Sequence, residues 1–217
     1  YRNPVEHSPV GVYLFQDDHF QYVNPRFAEI FGYTRTELYD SGTHAALVDP
    51  EEREEFYRRL QALLRGDTES EHHEFCGVRK DGQEIRLENF AGRLLFEGRP
   101  AVIGSLLDVT KRKQAEEALR SSEERLKILF EYSPDALFLA DMNGTLIDAN
   151  RAAERMAGIP KEGLIGKSLF GTGFVPPEEL FKVKEMFYQL AAGTTAGPVE
   201  FTPARDDGTR AAVEVTA

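Results

Sequence analysis

The sequence has a single cysteine, Cys76, among 217 residues, so no intramolecular disulfide can staple it. It lacks an apolar run long enough for a membrane-spanning helix, and its first residues lack the pattern of a signal peptide. It is also short of positive charge: 26 Lys and Arg stand against 37 Asp and Glu, a formal net charge of −11. Such a surface repels phosphate backbones and anionic lipid, which argues against nucleic-acid partners and direct membrane contact. With 41% hydrophobic and 11% aromatic residues and no low-complexity tract, the composition is that of a globular protein, expected in the cytoplasm even if a longer parent is membrane-anchored.

What is present is a repeat. Sliding the chain against itself by about 125 residues aligns Glu6, Ser8 and Pro9 with Glu131, Ser133 and Pro134. After one extra residue in the next turn, Asn24, Gly32 and Leu38 fall on Asn150, Gly158 and Leu164. Farther along, Glu74 to Glu88 lies over Glu200 to Glu214 without a gap, matching Glu, Phe, Arg, Asp-Gly and Glu. The chain reads as a tandem duplication, with the second copy stopping at Ala217 before the equivalent of the first copy's last strand.

Each copy carries the same local signals. Alternating Gly11 to Phe15 and Phe20 to Val23 flank a polar turn, and Ala136 to Ala140 and Thr145 to Ala149 flank Asn143-Gly144, so each copy opens with a hairpin. Asn24 then stands as a helix cap with Pro25 at the first helical position, and Gly32 ends that helix. Thr34 and Glu37 spell a capping box, and Asp49, Pro50 and Glu52 announce a longer helix bearing Phe56, Leu60, Leu63 and Leu64 up to Gly66. In the second copy Pro176 and Pro177 introduce Leu180, Val183, Phe187 and Leu190. Strands are predicted over 71–78, 84–96 and 101–109, giving the order ββααα then βββ.

Between the copies, Lys111 to Phe130 holds neither Pro nor Gly and reads as one helix, about 30 Å long at the helical rise. Ala115, Leu119, Ser122, Leu126 and Leu129 follow the spacing of a short coiled-coil seam, which predicts a parallel homodimer through this helix. A solvated linker helix packed on its own domains is the alternative.

This element order, with Ser8-Pro9, the block Val23 to Leu38, the block Ala149 to Leu169, and Arg79 to Glu88 leading into Gly104 to Glu117, resembles the PAS domain with its C-terminal PAC segment. The resemblance implies an α+β fold in each copy: a five-stranded antiparallel sheet with helices over one face, enclosing a small cavity. It implies domains at 1–110 and 131–217, joined by a signalling helix at 111–130. Two departures leave the ligand type open: the aromatic residue that many members place after Asp-Gly is Leu87 here and Val213 in the second copy, and the second copy lacks the last strand and its Asp-x-Thr.

Known chemistries find little footing. Gly166-Lys167-Ser168 is not a P-loop, because the required first glycine would be Lys161. His44, His72 and His73 lack metal-ligand spacing, and the adjacent pair points to opposite faces of a strand. Haem-binding members take iron from a histidine on the long helix; residues 51–65 and 178–192 contain none, leaving His44 as the one candidate. Cysteinyl-flavin photochemistry would need a cysteine where Asn24-Pro25-Arg26 stands. The cofactor stays unknown and no catalytic site is expected, since nothing pairs a nucleophile with a base.

The expected role is a sensory and relay segment of a larger signalling protein, a sensor histidine kinase first and a diguanylate cyclase next, feeding an output domain elsewhere in the parent. By the resemblance, pocket residues are Tyr22, Asn24, Phe56, Leu60 and Leu87, with Asn150, Leu180 and Phe187 in the second copy. Asn24 and Asn150 also fit the simpler role of helix caps. Asp108 and Thr110 would cap and orient the linker helix, with Ala115, Leu119 and Leu126 carrying the signal. The competing expectation is a ligand-free dimerisation and spacing module whose core is filled by Phe27, Phe31, Phe56, Phe75 and Phe90.

Overall fold

A computed structural model describes residues 5–40, 42–171, 175–193, 198–202 and 213–215. The chain divides into two compact units, Tyr1–Leu119 and Arg120–Ala217, with the division inside one helix.

In the first unit the opening hairpin is β1 (Gly11–Gln16) and β2 (His19–Val23). Asp17 and Asp18 hold positive φ in its turn, where short polar side chains tolerate the left-handed region. Helices α1 (Pro25–Phe31), α2 (Arg35–Tyr39), α3 (Thr43–Ala46) and α4 (Arg53–Arg65) follow, then β3 (Ser70–Val78), β4 (Glu84–Phe96) and β5 (Arg99–Asp108). The five strands form one antiparallel sheet in the order β2-β1-β5-β4-β3.

The caps explain why the helices start and stop where they do. Asn24 accepts the Phe27 amide at 2.9 Å, Gly32 closes α1 in a left-handed conformation, and Thr34 with Glu37 completes a reciprocal capping box. The single-turn α3 had no sequence signal. The start signal before α4 works one step earlier than its spelling suggests. Asp49 accepts the Glu51 amide in a turn, whereas Glu52, at the cap position, turns its carboxylate to the sheet.

Alternation along the strands decides the core. Ile85, Leu87 and Ala91 of β4, Val102 and Leu106 of β5, and Tyr13 and Phe15 of β1 face inward against Phe27, Ile30, Phe31, Leu38, Leu60 and Leu63. Phe90, expected as core, lies on the opposite face. It is 48% exposed because it shares the outward register of Arg86 and Glu88, and its ring stacks on His72 at 4.1 Å.

Helix α5 (Thr110–Glu131) is continuous, as the lack of Pro and Gly predicts. The second unit then repeats the hairpin as β6 (Phe138–Ala140) with β7 (Leu146–Ala149), followed by α6 (Arg151–Ala157), α7 (Lys161–Leu164) and α8 (Leu180–Ala191). Its last described strands are β8 (Val199–Phe201) and β9 (Val213–Val215), paired with Glu200 opposite Glu214. That is the register of Glu74 opposite Glu88 in the first unit. The described residues of this unit therefore hold two two-stranded sheets rather than one of five. The aligned stretch at 203–212 lies outside the described residues. Its core is built from smaller side chains: Ala153 and Ala157 stand where the first unit has Phe27 and Phe31. No helix among the described residues is long and apolar enough to cross a membrane.

Candidate sensory cavity and helix junction

Between the sheet and the helices of the first unit lies a cavity of about 40 Å³. β1 supplies Tyr13 and Phe15, β2 Phe20, α1 Phe27 and Phe31, α3 His44, α4 Phe56, Tyr57 and Leu60, and the sheet floor Phe75, Asn89 and Leu106. The lining contains no Asp, Glu, Lys or Arg. The rings meet edge to face, as aromatic quadrupoles favour: Phe15 on Phe20 at 5.5 Å and Phe20 on Phe27 at 5.1 Å.

Four side chains with polar atoms, Tyr13, His44, Tyr57 and Asn89, interrupt these walls. The buried Tyr13 hydroxyl donates to Asn89 Oδ1 at 3.1 Å. Burial pushes its pKa up to about 12, against the smaller, opposite effect of that bond. His44 packs its ring edge to face against Phe15 and Tyr57 and brings Nε2 to 3.3 Å from Asp18 Oδ1, while its Nδ1 is buried without a hydrogen-bond partner.

Of the pocket residues expected from sequence, Phe56 and Leu60 line this cavity. Leu87 is fully buried beside Gly77 but is not in the lining. Tyr22 pairs with Leu14 on the other side of a β-bulge, so its ring leaves the cavity and its hydroxyl donates to Glu6 at 2.7 Å. Asn24 serves the backbone instead: its amide oxygen accepts from Val12 and Phe27, and its nitrogen donates to the Val5 and Val10 carbonyls. Asn150 does the same in the second unit, with Leu137, Ala153, Phe130 and Asp135. Leu180 and Phe187 are part-buried against the second core, where Phe187 meets Phe170 edge-on at 5.4 Å. Sequence reasoning missed Tyr13 and Asn89, and weighed His44 only as a haem or metal ligand. Tyr13 had a signal, the period-two alternation that puts it beside Phe15; a polar Asn inside a strand had none.

The second constellation sits where β5 becomes α5. Asp108 Oδ1 accepts the Thr110 amide at 3.0 Å and the Thr110 hydroxyl at 2.6 Å, and Oδ2 accepts from Arg79 at 2.9 Å. Burial opposes its ionisation, but these donors together hold its pKa below the usual carboxylate value. Thr110 does not cap the helix as expected, for it is already the first helical residue. Its Oγ accepts the Arg86 amide of β4 at 3.0 Å, and the first helical turn closes instead on the Val109 carbonyl. Arg86 also reaches Glu52 at 3.0 Å, and the other Glu52 oxygen accepts the Cys76 amide of β3 at 2.8 Å. A chain of hydrogen bonds therefore runs from the start of α4, whose next turns wall the cavity, to the first residue of α5. Lys113 adds an ion pair to Glu74 at 2.8 Å.

Beyond this junction α5 buries none of its residues. Leu119, Leu126 and Leu129 are each more than 60% exposed, and Ala115 lies on the same seam. Cys76 is buried in β3, and burial pushes its thiol pKa up. No group of three or more metal-ligating side chains occurs among the described residues.

A family model described as PAS fold matches residues 20–95, and another described as PAS domain matches residues 124–190. The C4-dicarboxylate transport sensor protein DctS of Rhodobacter capsulatus is 26% identical over 173 residues, covering 79% of this chain and 25% of its own. The sensor protein FixL of Bradyrhizobium diazoefficiens is 30% identical over 125 residues, covering 56% of this chain and 24% of its own. This chain thus spans about a quarter of the length of these curated relatives. Among solved structures, a sensory box histidine kinase/response regulator from Burkholderia thailandensis shares 28% identity with a TM-score of 0.44, over 57% of this chain and 94% of that one.

Proposed function

Because the chain belongs to the PAS family and carries two PAS domains in tandem, we propose that it is the sensory and relay segment of a larger cytoplasmic signalling protein, a sensor histidine kinase first and a diguanylate cyclase next. Domains at 1–110 and 131–217 flank the signalling helix. A small molecule in the first cavity shifts α4; Glu52 and Arg86 pass that shift to Thr110 and Asp108, and α5 delivers it onward to an output domain of the parent. Two copies associate through the exposed seam of Ala115, Leu119 and Leu126. The segment itself catalyses nothing.

The observation that carries this reading is the Glu52–Arg86–Thr110–Asp108 chain, which ties a cavity wall to the root of the linker helix. A tightly bonded junction transmits displacement only if it has two arrangements that the ligand biases unequally. The sensor names of the two curated relatives support the sensory role. The dicarboxylate in one of those names does not carry over: the first cavity has no cationic lining and is too small for a four-carbon diacid. The test is D108A/T110A in the full-length parent, where basal output is expected to change several-fold and its response to stimulus to be lost; unchanged basal and stimulated output overturns the coupling route.

The small cavity volume favours a second reading, a ligand-free dimerisation and spacing module. Native mass spectrometry of the freshly purified protein separates the two. A stoichiometric small molecule selects the sensor, and a bare dimer selects the spacer.

A further inference from the structure

The last turn of α5 belongs to the second unit, which holds it through two adjacent residues. The Phe130 carbonyl can take no helical bond four residues on, because Pro134 has no N–H. It accepts the Ser133 amide at 3.4 Å and, more closely, the side-chain amide of the buried Asn150 at 2.9 Å. Asn150 also accepts the Leu137 amide just before β6 and the Ala153 amide within α6. Its neighbour Arg151 stands 3.5 Å from Glu131, the final residue of α5, and 4.8 Å over the Tyr132 ring. That ion pair is 54% and 26% exposed at its two side chains, so it can open without unfolding anything.

The repeat separates this contact from the shared fold. Asn150 has its counterpart in Asn24, but Arg151 falls on Pro25, which carries no charge, and Glu131 falls on Glu6, which pairs with Arg35 and Tyr22 instead. A cation at the first position of α6 opposes the dipole of that helix, whereas it suits the end of α5 and the Glu131 carboxylate. Helix α6 in turn places Ala153 and Ala157 in the second core, with Leu146, Leu164 and Val183. We infer that Asn150 and Arg151 receive the movement of α5 for the second unit, Asn150 as a buried pivot and the Arg151–Glu131 pair as a latch that opens and closes beside it. The two PAS domains then act in series, with α5 setting the state of the second rather than bypassing it. This rests on the reading that α5 carries a signal from the first unit, and it adds the residues that take the signal up.

The test is amide hydrogen exchange on the full 217-residue chain, disturbed at the root of α5 by T110V, with D108A/T110A as the stronger form. The disturbance is expected to change exchange at α6 amides, Ala153 foremost, by at least about threefold. In R151A that response is expected to fall below about 1.5-fold, whatever R151A does to the resting rates. R151E/E131R is expected to restore it, since each charge then lies at a helix end that favours it. An undiminished response in R151A, no recovery in the charge swap, or a response along α5 with none in α6 overturns the latch and leaves the signal-carrying helix standing. If neither disturbance changes exchange in α5 beyond its first turn, that reading fails, and this inference with it.

Discussion

Asn24 and Asn150, fully buried in separate units, make the same four hydrogen bonds. Each amide oxygen takes two backbone N–H groups and each amide nitrogen serves two carbonyls, at 2.8 to 3.0 Å. The partners correspond one for one along the repeat: Val5 with Phe130, Val10 with Asp135, Val12 with Leu137, and Phe27 with Ala153. One side chain fixes the chain entry, the first strand and the first helix of a unit.

Removing that pin is expected to cost about 3 kcal/mol in the unit concerned, because N24A strands several buried backbone groups at once. N24D should be worse near neutral pH, since a carboxylate oxygen would then face the Val5 and Val10 carbonyls. Those carbonyls raise its folded-state pKa above the unfolded value, so N24D should regain stability as the pH falls. Urea melts of N24A and N24D at pH 5 and pH 7 check both signs.

His73 gives the first unit an acid weakness. Both of its ring nitrogens are buried without hydrogen bonds, between Phe56 and Phe75, and Glu71 Oε1 at 3.7 Å is too far to bond. Burial lowers its pKa below 6.5, Arg59 adds to that, and Glu71 and Glu55 oppose it. A depressed folded-state pKa means stability present above the unfolded value and lost as the pH falls through it. H73F is expected to flatten the loss of stability between about pH 7 and pH 5, measured by thermal melts across that range.

Gly104 leaves the space that the Tyr13 ring occupies: the two residues pair across β1 and β5, and a Cβ at 104 would collide with the ring. G104A should expel Tyr13, break its bond to Asn89 and destabilise the first unit by about 2 kcal/mol. Chemical denaturation gives the cost, and a lower Tyr13 pKa in a spectroscopic alkaline titration reports the lost burial.

The seam on α5 makes the oligomeric state the readout for the linker. L126E places a charge at the middle of the exposed leucines and is expected to shift a sedimenting dimer to monomer, while E123Q, off that seam, leaves it unchanged. A wild-type chain that sediments as a monomer at high concentration would remove the dimer from the proposal.

The repeat, both hairpins, the asparagine caps and the linker helix were legible because each has a local cause: turn chemistry, cap chemistry, or the absence of helix breakers. The cavity was legible only in part. Phe56 and Leu60 follow from helical spacing on α4, but Tyr22 was misplaced because a bulge between Leu14 and Phe15 changes which β2 residues face inward. Phe90 was misplaced because hydrophobicity outweighed register, although the charged Arg86 and Glu88 before it already mark the outward face. His44 and Asn89 depend on partners far away in sequence, at Asp18 and Tyr13, which no window of neighbouring residues contains.

The chain contains no tryptophan and eight tyrosines. Its ultraviolet emission therefore comes from tyrosine, and two of the emitters, Tyr13 and Tyr57, form part of the cavity wall. A single tryptophan introduced at Leu60 on the facing helix would have no competing fluorophore of its kind. Occupancy of the first unit could then be followed optically, without any attached dye.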